Sequence, residues 1–238
     1  MRRALLFAFA LFALPVVNAA DLQPFSASYT ADWKQLPMSG GTAERSLQAG
    51  ANGTWTLSFK ASMMIASLTE VSTLKDNNGT LLPQTYNFER GGLGKTKKVD
   101  LVFDWSTKFI TGTDRNDAIK VPLNTGILDK STYQLALQHD VAAGKKSMSY
   151  QVIDGDEIDT YDFRVLGAEK VATKVGSVDA IKVERVRDPT QNKRITVMWF
   201  AKDWDYLLVR LQQVETDGKE YNIMLQDGTV NGKTVKGS

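Results

Sequence analysis

The residues able to do chemistry are few, and most familiar constellations fail for want of a member. His139 is the only histidine in 238 residues and cysteine is absent. One histidine rules out zinc catalysis built on several imidazoles, and no cysteine removes thiol nucleophiles, thiolate metal sites and disulfides. No Gly-x-Ser-x-Gly elbow is present to pair a serine with His139. The sequence reads His139 as a solvated residue near a helix end.

Carboxylates are plentiful, and Asp154, Asp156, Glu157 and Asp159 form the densest group. Their spacing lacks the central glycine and terminal glutamate of a calcium loop, so they are read as a hairpin turn with an acidic outer face. No metal ligand and no cofactor are predicted, and no catalytic residue is nominated. Arg90, Lys95, Lys97 and Lys98 surround Gly91-Gly92-Leu93-Gly94. The segment lacks the Lys-Ser/Thr of a phosphate loop. It reads as a hairpin with solvated charges, with a lipid headgroup or glycan contact as the alternative.

Apolar residues carry the more suggestive pattern. Met63, Met64, Ile65, Ala66 and Leu68 break strict alternation, as do Ile195, Val197, Met198, Trp199, Phe200 and Ala201. Such runs need cover on both faces, or present one face to a ligand, and methionine adapts well to varied apolar partners. The candidate ligand-binding wall is Phe59, Met63, Met64, Ile65, Trp105, Tyr133, Leu137 and Trp199; plain core packing is the competing reading for each.

The elements that must position these residues are mostly strands. Phe25, Ala27, Tyr29 and Ala31 alternate with polar residues, as do Trp55, Leu57, Phe59 and Ala61, and again Val99, Leu101 and Phe103. Period-two alternation marks strands with one buried face. Asn52-Gly53, Asn78-Gly79, Asp154-Gly155, Asp217-Gly218 and Asp227-Gly228 supply hairpin turns. The turn reading also outweighs glycosylation at the Asn52 and Asn78 triplets. About a dozen strands are predicted between 24–112 and 147–226, with 157–166 and 169–174 as separate strands. Between the two sets, Asp129 to Thr132 offers a cap, Tyr133, Leu137 and Val141 recur at helical spacing, and Gly144 is a stop. The predicted fold is mainly β: a single long curved antiparallel meander, an open or half barrel, with one central helix against it.

Arg2-Arg3, the apolar run Ala4 to Val17 and the −3 to −1 stretch Val17-Asn18-Ala19 read as a signal peptide over residues 1–19. The run is too short for a bilayer, which needs roughly twenty residues. Residues 20–238 are then a single β-rich domain. Loss of Arg2 and Arg3 leaves 27 basic against 27 acidic residues, a neutral balance that argues against nucleic acid. The expected location is periplasmic and soluble, with no transmembrane anchor after cleavage.

The stretch Ile127 to Leu137, the strand Tyr161 to Val165 with Gly167 and Glu169, and the run Arg194 to Ala201 ahead of Tyr206 to Arg210 resemble exported bacterial proteins of the domain of unknown function 3108 family. Pro24 to Tyr29 extends the match. Where the family pattern has Leu-Pro, this chain has Leu207-Leu208. The resemblance implies a periplasmic β-rich protein and no particular reaction. The function expected is non-enzymatic binding of a hydrophobic ligand, a lipid or lipoprotein acyl chain, between sheet and helix. The alternatives are an envelope module holding a protein or glycan partner, and a carboxylate-dependent polysaccharide hydrolase.

Overall fold

A computed structural model of the chain describes residues 22–33, 40–63, 66–92, 96–190 and 192–238. The signal segment, Met64, Ile65 and the loop residues Leu93 to Lys95 lie outside the described residues. The first limb comprises β1 (Phe25–Trp33), β2 (Gly41–Ala49), β3 (Thr54–Met63), β4 (Ala66–Asn77), β5 (Thr80–Gly92), β6 (Lys97–Asp104), β7 (Phe109–Asp114) and β8 (Asp117–Pro122). After β9 (Ile127–Leu128) and the helix α1 (Thr132–Ala142) come β10 (Ser147–Asp154), β11 (Glu157–Thr173), β12 (Gly176–Val186), β13 (Ile195–Ala201), β14 (Leu207–Val214), β15 (Glu220–Val230) and β16 (Lys233–Thr234).

These strands form one sheet in which chain neighbours pair within β1 to β8 and within β9 to β16, all antiparallel except the short β9 with β10, and β1 closes the middle by pairing with β15. The long curved meander with one helix is therefore as the patterning predicts. Its ends, β8 and β9, are not paired with each other. They meet through side chains, where Phe103, Ile110 and Ile119 from one limb pack with Ile127 and Ile153 from the other. The sheet thus closes like a barrel, with an apolar seam in place of one ladder.

Inside lies α1, none of whose residues is exposed. A helix against one open sheet would show a polar outer stripe; this one has no exposed residue because the sheet curves round it. Asp129 fixes its start. One carboxylate oxygen accepts from Ser131 N–H (2.8 Å), Thr132 N–H (2.7 Å) and Ser72 Oγ (2.8 Å), and the other from Thr132 Oγ1 (2.7 Å). This satisfies orphan donors of the first turn and ties the helix to β4. Gly144, at φ +80°, ends it.

Three details depart from the sequence reading. Asp227-Gly228 makes no hairpin: it lies within β15 at a bulge opposite Ser28 and Tyr29, and Asn231-Gly232 makes the turn instead. β11 runs unbroken through the bulge at Gly167, so the two predicted strands are one. The short strands β8 and β9 were not among those predicted. The long β11–β12 hairpin also folds back over the outer face of β13 to β15: Lys174 N–H donates to Leu225 O, and the chain end packs Gly237 against Gly176 so closely that a Cβ on either would sit within 3 Å of backbone. This arm gives β13 its second cover.

Candidate functional site

The barrel has two unlike ends. The C-terminal part of α1 fills one, where His139 lies within electrostatic reach of Asp76 and Asp205. The N-terminus of α1 points toward the other, the rim where β3 meets β4 and β14 meets β15. There a cleft of about 510 Å³ opens, lined by Ala61, Met63, Ala66 and Leu68 on one limb and by Gln213 and Tyr221 on the other, with Arg90 and Glu215 at its edge. Its volume falls in the range of small-molecule sites, and most of its lining is apolar. Gly41 makes room for it, since a Cβ there would lie 2.6 Å from Met63 Cγ.

The next inward positions form a layer beneath the cleft. Arg45, Phe59 and Glu70 are register partners across β2, β3 and β4. Arg45 is 3% exposed, with its guanidinium 5.0 Å from the Phe25 ring centroid and its Nη1 without a hydrogen-bond partner. It forms no ion pair among the described residues. Glu70 accepts from the Tyr86 hydroxyl at 2.8 Å, and burial pushes its carboxyl above the ordinary range against that hydrogen bond. Opposite, Arg185 lies 3.3 Å over the Tyr161 ring with its Nε unpartnered. Arg187 donates to Arg194 O and Thr196 Oγ1, both at 3.2 Å. Burial, then Arg185 and Arg194, lower its pKa to about 10.

Tyr133 joins the two walls. Its ring meets Tyr161 edge-on at 5.2 Å and stacks on Phe163 at 5.7 Å. Its hydroxyl, raised by burial, feels Arg185, Glu70 and Arg187, and it makes no hydrogen bond among the described residues. Arg45 feels it in turn.

The eight predicted wall residues do not form one wall. Met63 lines the cleft, Phe59 and Tyr133 lie in the layer beneath it, and Met64 and Ile65 lie outside the described residues. Leu137 is fully buried at the helix-filled end. Trp105 is at the seam, where its Nε1 donates to Pro83 O at 2.8 Å. Trp199 faces outward, between Lys182 and Arg210, and donates to Glu169 on the folded-back arm at 2.5 Å. The space between helix and sheet at the filled end is occupied by Leu74, Leu135, Leu137 and Val141, all nearly inaccessible; the cleft is at the rim.

Arg45, Glu70 and Arg185 were missed by sequence reasoning, although a signal existed for two of them. Arg45 is in phase with Ala43 and Leu47, and Glu70 with Leu68, Ser72 and Leu74. A charge on the apolar phase of a strand marks an interior polar position. Among the acidic cluster, Asp154 pairs with Lys130. No group of three or more His, Cys, Asp or Glu among the described residues is placed to hold a metal. No described helix is long and apolar enough to cross a membrane.

The sequence profile of a protein family of unknown function, DUF3108, matches residues 28–226. No curated protein matches the chain. Among solved structures, the chain is similar to a beta-barrel-like protein of the domain of unknown function DUF1849 from Brucella abortus. The TM-score is 0.58 at 12% identity, over 89% of this chain and 99% of that one. At that identity the likeness concerns the fold.

Proposed function

From the premise that the chain belongs to the DUF3108 family, whose function is unknown, we propose that it is a non-enzymatic periplasmic protein that binds an amphiphile, its acyl chain lying in the rim cleft. The observation that carries this reading is the cleft itself: about 510 Å³, walled by Ala61, Met63, Ala66 and Leu68. An apolar concavity of this size on an otherwise well-packed protein has a use in burying apolar ligand surface. The signal-like segment up to Ala19 supports export.

The hydrolase alternative has little to stand on. Asp129 is fully buried with its oxygens committed to the helix cap, and Glu70 is held by Tyr86. Neither lines the cleft.

Native mass spectrometry of the purified mature protein with palmitate tests the reading. A one-to-one complex is expected for the natural chain, and Met63→Asp, placing a charge in the apolar wall, is expected to lose it. Equal retention by the natural chain and the variant would move the ligand elsewhere. A fusion to a reporter active only outside the cytoplasm tests the location, with an inactive fusion arguing against export.

A further inference from the structure

We propose that Arg45, Arg185 and Arg187, on the two walls that Tyr133 joins inward of the rim cleft, hold the oxyanion headgroup of the amphiphile whose chain occupies that cleft. The inference rests on the reading of the cleft as an acyl site and adds what selects the ligand.

The argument begins with charge balance. Several other cations at this end of the barrel have an acid: Arg194 meets Glu215 at 2.7 Å, Lys97 meets Asp114 at 2.9 Å, and Lys130 pairs with Asp154. Arg45, Arg185 and Arg187 have no ion pair among the described residues. Glu70, across Phe59 from Arg45 in the same layer, is engaged by the Tyr86 hydroxyl, and burial raises its pKa. The interior layer therefore holds buried guanidinium donors with no ion-pair partner among the described residues.

Such an arrangement is costly, because a buried charge without a partner loses hydration and gains little in return. Stacking offsets part of this for Arg45 on Phe25 and for Arg185 on Tyr161. It leaves one in-plane donor of each unused. Arg45 Nη1 and Arg185 Nε are both buried and unpartnered. Planar guanidinium donors match the oxygens of a carboxylate or phosphate, and a charge-assisted hydrogen bond is about twice as strong as a neutral one. The Tyr133 hydroxyl, with no partner of its own among the described residues, adds a neutral donor between the walls.

Position completes the argument. Arg45 is one inward step below Ala61 and Leu68 on neighbouring strands, and Arg185 lies just past the last β12–β13 pair, Glu184 with Val197, on the wall where Thr196, Gln213 and Tyr221 are successive register partners. Both walls of the cleft thus lead down to an arginine. An acyl chain along Met63 and Leu68 would place its polar end at this layer.

The test compares palmitate with hexadecanol, equal in chain length and different in charge, by calorimetric titration of the mature protein. Palmitate is expected to bind about tenfold or more tighter. Arg185→Gln and Arg187→Gln are expected to remove that difference while leaving hexadecanol affinity unchanged. Arg45→Gln should act likewise, and if it fails to fold, the two half-buried positions on β12 and beyond it carry the test alone. Equal binding of acid and alcohol to the natural chain would overturn the headgroup assignment and leave the cleft reading standing. Failure of both to bind would overturn the cleft reading itself. Inorganic phosphate binding as tightly as palmitate, with the same dependence on the arginines, would reassign the site to a free anion and overturn the headgroup role.

Discussion

The filled end and the rim end of the barrel use the same sheet and treat buried polar groups in opposite ways. In the packed interior, Asp129 accepts four hydrogen bonds at the start of the helix and Tyr29 donates to Leu208 O at 2.9 Å, and at the filled end Tyr150 donates to Asp140 at 2.8 Å. Polar groups there fix one arrangement of helix and strands. Beneath the rim, Arg45 and Arg185 keep buried donors unused. A well-packed fold tolerates such a deficit where something other than the fold uses it. The contrast separates the residues that build the barrel from those that equip it.

The largest effect is expected from cavity creation at the filled end. Leu137, fully buried on α1, should lose about 3 to 4 kcal/mol on change to alanine. Met63→Ala, at the half-exposed rim, should cost less than about 1 kcal/mol. Urea titration of both variants checks this, and similar losses would break the comparison.

Removing polar groups gives the next contrast. Asp129→Ala strips the helix cap and leaves Ser72 and two backbone N–H groups unsatisfied, for a loss of about 2 to 4 kcal/mol. Arg45→Met replaces an unpaired buried charge by an apolar side chain of similar length and should change stability by less than about 1 kcal/mol, or raise it. A loss of several kcal/mol at Arg45 would make it part of the frame.

The two ends should also respond to pH with opposite sign. Burial lowers the His139 pKa, so the unfolded chain takes up a proton first as pH falls through about 6.5. Stability contributed by neutral His139 is complete above that value and is lost below it. Burial raises the Glu70 pKa, so its ionised form is a cost at neutral pH that disappears as pH falls toward the ordinary carboxylate value. His139→Gln should reduce the acid loss between pH 7 and 5, and Glu70→Gln should raise stability at pH 7, each by about 1 kcal/mol or less. Denaturation at several pH values reads both. A histidine proton resonance titrating above 6.5 would contradict the first.

Much of the scaffold was legible because strand alternation and turn chemistry are local. Phe25 to Ala31 and Leu57 to Ala61 show their buried face residue by residue, and Asn78-Gly79 turns as its positive φ values require. Asp227-Gly228 looks the same in sequence but sits in a bulge, because Gly228 lies against Ser26 O and Ala27; only the neighbouring strand reveals that. Trp199 was plausible as a ligand wall until the β11–β12 arm covered it.

The sequence by itself determined the all-β meander, the central helix, its cap and stop, and the exclusion of thiol and multi-histidine chemistry, since each depends on residues close in the chain or on counts. Only the tertiary structure decided that the sheet curves round the helix, that the open space lies at the rim, and that Arg45, Arg185 and Tyr133 lie on the interior side beneath it. Those outcomes depend on curvature and on register across strands far apart in sequence. A residue's phase shows which face it takes, but not what the opposite wall presents to it.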